Sequence, residues 1–181
     1  MNKIRLINTI IMAALTVMAV GIATAHAEHK PEKIKPYAVG GSLGMVNFTG
    51  GSAFQFAAHA DLGNPTKWAG FALFPSISFW SKSYQYFGSE SISVHELNFN
   101  ADAHYYFNPE ANTNFYAGGG LGLSTVSAGG VSDNGLALRF LGGLETPISA
   151  KKSLVAQATY QTRSNFSELS FHLGLTFDLT H

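Results

Sequence analysis

The stretch Leu169-Ser170-Phe171-His172-Leu173-Gly174-Leu175-Thr176-Phe177-Asp178-Leu179 alternates without a break. Each odd-numbered residue is large and apolar, and each even-numbered one is small or polar. A period of two places successive side chains on opposite faces of a β-strand. The run is also as long as the roughly 9–11 residues that a tilted strand needs to cross a bilayer. Its reading decides the fold, because the same pattern recurs back along the chain.

Leu154 to Gln161 alternates, with Val155 as its one exception, and Leu136 to Glu145 sets Leu136, Leu138, Phe140 and Leu144 opposite Arg139 and Glu145. Phe115 to Thr125 repeats the pattern with glycine filling most of one face. Leu97 to Phe107 is equally regular, and its polar side, extended by one residue, reads Glu96, Asn98, Asn100, Asp102 and His104. Tyr37 to Phe48 and Ala53 to Leu62 alternate well enough to be strands. Trp68 to Trp80 is apolar on both faces in places, and Pro75 there marks an edge or a bulge. The total is eight strands, an even number as antiparallel closure requires.

The composition fits the same architecture. Charged residues are 12% of the 181, half the roughly 25% of ordinary soluble domains, while aromatics reach 13%. After the first 27 residues, no apolar run is long enough to span a bilayer as a helix. Such a chain hides its apolarity in alternation rather than in runs. There are no cysteines, so disulfides, thiolate metal sites and an acylated-cysteine anchor are all excluded.

The first 27 residues read differently. Lys3 and Arg5 precede an uncharged apolar run from Leu6 to about Ala25, closed by Ala25-His26-Ala27. A basic start, an apolar middle and a small-x-small exit make a cleaved, helical signal peptide over 1–27. A short periplasmic segment over 28–35 and a barrel over 36–181 follow. Without Lys3 and Arg5, nine basic residues stand against 11 acidic ones, a formal charge of −2. That balance gives nucleic acid no basic stripe to bind.

The connections alternate in character. Gly63 to Lys67, Asn108 to Asn114 and Pro147 to Ser153 are polar turns that each contain proline, and fall on the periplasmic side. Asn47 to Ser52, Ser81 to Ser91, Ser127 to Gly135 and Thr162 to Ser167 form the outward loops. Tyr37, Trp68, Tyr105, Phe107, Phe115 and Phe177 are expected to ring the periplasmic interface. Phe54, Phe79, Phe140, Tyr160 and Phe171 are expected to ring the outer one.

A soluble sandwich would share the alternation, but it would set Lys and Glu opposite its apolar face. Here that side carries Gly, Ser, Thr, Asn and Gln, with few charges of mixed sign. An eight-stranded barrel has an interior just wide enough to be filled by such side chains. The expected fold is therefore an all-β, eight-stranded, antiparallel, up-and-down transmembrane β-barrel.

The C-terminal segment His172-Leu173-Gly174-Leu175-Thr176-Phe177-Asp178-Leu179 resembles the assembly signal of outer-membrane proteins: polar, x, Gly, two x, aromatic, x, apolar. With the glycine-rich Phe115 to Ser124 and with Arg139 to Pro147, the chain is similar to small outer-membrane β-barrels of OmpA/OmpX type. The resemblance implies location in the outer membrane and contact with its lipids, including lipopolysaccharide. It implies insertion by the barrel assembly machinery, reading His172, Gly174, Phe177 and Leu179, and a monomer. Many members end on the aromatic residue itself, whereas this chain continues through Leu179, Thr180 and His181.

Three sets of residues could carry chemistry. Glu96, Asp102, His104, Arg139, Glu145 and Arg163 face inward, where a buried unpaired charge costs several kcal/mol; they are expected to form a charge-paired plug. Arg139 is its expected centre, since a guanidinium can bridge two carboxylates. His59, His95, His104 and His172, with Asp61 and Asp102, lack the short spacing of a metal site and lie on non-neighbouring strands, so no metal or other cofactor is expected. Arg163-Ser164-Asn165-Phe166-Ser167-Glu168 is similar to part of the His-x-Ser-Asn motif of lipid A deacylases. The position of the His is Thr162, however, which leaves Ser164 no base. The reading is a non-enzymatic barrel with a side-chain-filled polar lumen, serving envelope structure or surface interaction. The alternatives are a narrow porin-like channel or carrier for small solutes and a lipid A-modifying hydrolase.

Overall fold

The computed structural model describes residues 37–63, 71–85, 91–107, 111–164 and 166–179. The signal peptide expected over 1–27, the periplasmic segment expected over 28–35 and Trp68 lie outside them. Eight strands follow in order: β1 (Ala38–Phe48), β2 (Gly51–Asp61), β3 (Phe71–Gln85), β4 (Ser91–Tyr106), β5 (Asn114–Ala128), β6 (Val131–Ser149), β7 (Lys152–Arg163) and β8 (Phe166–Asp178). Each pairs antiparallel with the next, and β1 closes on β8 from Ala38↔Asp178 to Phe48↔Glu168. Closure gives the backbone polar groups partners within the wall, which is what a bilayer core demands of a spanning chain.

The side-chain period decides which face is which. Leu43, Phe54, Phe56, Phe99, Leu121, Leu123, Phe171 and Leu173 all point outward and are exposed. The inward positions hold Gln55, Glu96, Asn98, Asp102, Arg139, Gln161 and Glu168, all buried. Soluble monomers rarely expose contiguous apolar patches beyond a few hundred Å²; here the apolar face runs around the wall, so its solvent is lipid.

Several connections are tighter than the sequence suggests. The outward loop expected over Ser127 to Gly135 is instead mostly strand. β5 and β6 turn on Gly129 and Gly130, whose φ angles of 57° and 85° suit a two-residue hairpin turn with both central residues left-handed. The Ser and Asn content that reads as a loop belongs to strand ends standing clear of the apolar belt. Asn47 to Ser52 contracts likewise, to Thr49 and Gly50 between β1 and β2. Ser81 to Gln85 extend β3, and Thr162, Arg163, Phe166 and Ser167 belong to β7 and β8. On the periplasmic side, the turn expected over Pro147 to Ser153 reduces to Ala150 and Lys151, with a register shift between Pro147 and Ser149.

The rim is uneven. β7 first pairs with β6 at Leu138↔Thr162, so Val131 to Ala137 have no strand on that side among the described residues. The β2–β3 ladder ends outward at Gln55↔Trp80, although β3 and β4 continue to Gln85↔Ser91. The four strands β3 to β6 therefore rise as a sheet above the rest of the barrel.

Tyr37, Phe115 and Phe177 of the expected periplasmic ring are exposed on the outer wall. Tyr105 takes the outward parity but is covered by Phe71 and Phe107, whose rings lie 5.4 and 5.5 Å away. Of the outer set, Phe54, Phe79, Phe140 and Phe171 are exposed.

Candidate functional site: the filled lumen

From the outer end downward, the lumen is closed in layers. The first is apolar. Val46 and Trp80, on β1 and β3, are fully buried, and Ala53, Phe48, Val94 and Phe166 pack against them. Phe48 stacks on Trp80 at 4.6 Å between ring centroids and leans on Phe166 at 5.9 Å. Lys82 Nζ lies 5.7 Å from the Phe48 ring and 5.3 Å from that of Tyr84, and the Arg163 guanidinium 5.0 Å from Phe166. Cations above aromatic faces are attracted to the ring quadrupole, so these two side chains fold over the lid.

Below the lid sit two acids. Trp80 Nε1 donates to Glu168 Oε2 at 3.3 Å. Ser124 Oγ donates to Glu96 Oε1 at 2.5 Å and accepts from the Arg163 guanidinium at 3.2 Å. Arg163 thus reaches Glu96 through a hydroxyl rather than by direct pairing.

The third layer is centred on Arg139. Its Nε donates to Asp102 at 3.0 Å, and its second arm donates to Gln161 Oε1 at 2.6 Å. Gln161 Nε2 passes the network on to Asn98 Oδ1 at 3.0 Å and, at the limit of bonding distance, to Glu96. The expectation that Arg139 bridges two carboxylates is corrected here: it holds one carboxylate and one amide. The reason is register, which places Asp102 opposite Gly120 and Gly120 opposite Arg139, while Gln161 flanks Arg139 on the other side. The neighbouring strand makes room. A Cβ on Gly122 would come within 2.5 Å of Asn100 Oδ1 and 3.4 Å of Arg139 Cδ.

The half toward the expected periplasmic end holds a polar cavity of about 50 Å³, where one water needs roughly 10–15 Å³. Three imidazoles line it, from β2, β4 and β8. His59 Nε2 bonds Thr176 Oγ1 at 3.1 Å, and His172 bonds Gln55 at 2.8 Å and Ser42 at 3.3 Å. The His104 ring is stacked between Phe74 (3.8 Å) and Tyr116 (4.8 Å), and neither nitrogen has a hydrogen-bond partner among the described residues. Tyr106 donates to Glu145 at 3.4 Å and Tyr116 to Gln157 at 2.9 Å.

Of the six expected plug residues, then, the structure joins Asp102 and Arg139 directly. It links Glu96 to Arg139 through Gln161 and Arg163 to Glu96 through Ser124, leaves His104 between rings, and sets Glu145 apart beside Tyr106. Glu168, Gln161 and Trp80 belong to the plug but do not stand out in the sequence. The signal for Glu168 is only that it continues the even-numbered face of the last strand by two residues. The sequence spacing argues against the histidines meeting, yet three of them share one cavity. Among the described residues no group of three His, Asp or Glu is placed to hold a metal ion. His95 points outward beside Phe79. Thr162, at the motif position where lipid A deacylases carry a histidine, is bonded to Ser167.

At the seam, His172 faces inward, while Phe177 and Leu179 are exposed and the Leu179 amide donates to the Tyr37 carbonyl at 2.9 Å. Gly174 lies opposite Ser42, where a Cβ would approach the Gly41 carbonyl to 2.5 Å and Ser42 Cβ to 2.6 Å.

No family model matches the sequence, and no curated protein sequence matches it. Solved structures do. Neisserial surface protein A superposes with a TM-score of 0.60 at 16% identity, over 79% of this chain and 96% of that one. This chain has the fold of a small outer-membrane β-barrel. The outer membrane protein OprG of Pseudomonas aeruginosa gives 0.57 at 8% identity, covering 78% and 94%. Ail, the attachment invasion locus protein of Yersinia pestis, gives 0.53 at 14%, covering 78% and 95%. Identities this low carry the fold and not the activity.

Proposed function

We propose that this chain is a non-enzymatic, integral outer-membrane protein whose barrel is a sealed scaffold, serving envelope structure or surface interaction. The observation that carries the reading is the filling of the lumen, with Val46, Phe48 and Trp80 across its outer end and the Arg139 network beneath. A sealed wall has no continuous water path. What remains for contact outside the cell is the raised sheet of β3 to β6. Among the described residues no strand pairs with its Val131, Ser132, Asp133 and Asn134 edge on the β7 side, and a free sheet edge is of the kind partners pair with. Attachment, which Ail carries in its name, belongs to that protein; it agrees with a surface role here.

The same reading takes His172, Gly174, Phe177 and Leu179 as the segment handed to the assembly machinery. It places the barrel, as a monomer, among outer-membrane lipids including lipopolysaccharide after export and removal of residues 1–27. The test is electrical. Purified protein in planar bilayers is expected to give no stepwise current, while removing the lid in Trp80→Ala/Phe48→Ala yields small steps. Steps from the unaltered protein would favour a narrow channel instead and end the sealed reading. Lipid A from cells with and without the protein is expected to carry the same acyl chains; a difference would restore the hydrolase.

A further inference from the structure

The raised sheet reverses the facing rule of the wall beneath it. Up to Phe79, Leu97, Leu123 and Leu136, the outward residues of β3 to β6 are apolar and meet lipid. Beyond that boundary the outward face holds Ser81, Ser83, Ser93, Thr125, Ser127 and Ser132, with His95 and Asn134 among them. The apolar residues change sides: Val94, Val126 and Val131 share the inward face with Trp80 and Ser124. The charges also point inward, Lys82 opposite Val94, and Glu96 and Asp133 on either side of Val126.

A water-facing surface is ordinarily about 25–35% Lys, Arg, Glu and Asp. Among the described residues, no outward position of these four strand tops is charged. Hydroxyls face each other across the strands instead, Ser83 with Ser93 at 2.9 Å and Ser127 with Ser132 at 2.7 Å. Each such bond uses one hydroxyl hydrogen, so each pair keeps a donor and lone pairs for a ligand. Phe79 and His95 stand nearly parallel at the boundary, their ring centroids 6.2 Å apart. Position fixes the occupant: directly below, the same wall faces acyl chains, so this face stands among the heads of the same lipids. Phosphate and carboxylate heads are held by Arg and Lys, which this face lacks. An uncharged, polyhydroxylated head donates and accepts as these side chains do.

We propose that the outward face of the raised sheet binds the neutral saccharide head of a glycolipid in the surrounding leaflet. The sugar lies across Thr125, Ser127 and Ser132 and reaches toward Ser83 and Ser93, while the acyl chains run down the wall past Leu97 and Leu123. Four strands span roughly 14 Å at the usual spacing, room for an oligosaccharide rather than a single ring. The inward charges take no part, so the site discriminates by hydroxyl pairing and not by attraction of opposite charge. It deepens the surface-contact reading by naming a partner, and it rests on that reading in taking the raised end as the outside.

The test places the full barrel in phosphatidylcholine nanodiscs and follows the Thr125 methyl and His95 ring resonances. Digalactosyldiacylglycerol is expected to shift both saturably, and phosphatidylglycerol with the same acyl chains at least tenfold less. Ser127→Ala/Ser132→Ala and Ser83→Ala/Ser93→Ala should each weaken the response about tenfold, whereas Val131→Thr on the inward face leaves it unchanged. Heat-modifiable mobility checks that each variant folds. Three results would overturn the site: no saturable shift, an equal response to phosphatidylglycerol, or an unchanged response in whichever serine variants fold. In intact cells Asn134→Cys, in a chain with no other cysteine, is expected to react with a membrane-impermeant maleimide. Failure to react would end the surface reading and the leaflet assignment together, while a nanodisc failure with labelled cells ends the saccharide site alone.

Discussion

Arg139 is the residue on which the interior turns. Its charge is buried with Asp102, and the cost of desolvating both is met only while the pair and the Gln161 bond persist. Replacing one partner strands the other, so Arg139→Met should cost about 3–5 kcal/mol. Urea titration of the detergent-folded barrel would read this as a lowered midpoint. The double variant Arg139→Met/Asp102→Leu should recover most of the loss, because an apolar pair of similar volume leaves no orphan charge. If the double variant is as unstable as the single one, the pair matters through packing and not through charge. The alternation shows Arg139 and Asp102 as inward-facing, and that much is local. Which acid the arginine takes is not local, because it depends on how far β4, β5 and β6 are staggered.

At the scale of the element, the closing seam is the sensitive one. β1 and β8 approach so closely at Gly174 that a branched side chain has nowhere to go against Gly41 and Ser42. Gly174→Val is expected to abolish the heat-modifiable, folded form in gels, whereas Leu173→Val, on the exposed face beside it, should leave that form intact. The β5–β6 turn is a milder case. Gly130 has φ near 85°, a region costly for β-branched residues, so Gly130→Val should lower stability by about 1–3 kcal/mol without changing the fold. The seam and the turn differ in legibility. Gly174 sits in the segment whose pattern announces the last strand, while Gly129-Gly130 lies within Ser, Asn and Gly residues that read as a long loop. Polar composition signals exposure to water, and strands that rise above the lipid are as exposed as loops.

For the whole molecule, the decisive property is that apolar side chains face out. Leu121 is half exposed on the outer wall of β5, with lipid as its only solvent. Leu121→Arg should destabilise the barrel in bilayers by about 2–4 kcal/mol if it lies near the midplane. Equilibrium folding into phosphatidylcholine vesicles would measure it. In a water-soluble protein, an exposed Leu→Arg change would fall within about ±0.5 kcal/mol, so an effect that small would deny the inside-out arrangement.

The sequence by itself determined the strands, their even number, their inward and outward faces and the closed membrane barrel. Each of these follows from side-chain period and length, properties of a few consecutive residues. The tertiary structure decided the rest: Gln161 as the second partner of Arg139, Trp80 and Phe48 as the lid, three histidines around one cavity, and the sheet of β3 to β6 raised above the other strands. Those depend on the stagger between strands far apart in the chain, which a period of two leaves free. Closure fixes that stagger once for the whole cylinder, and only then do particular side chains meet.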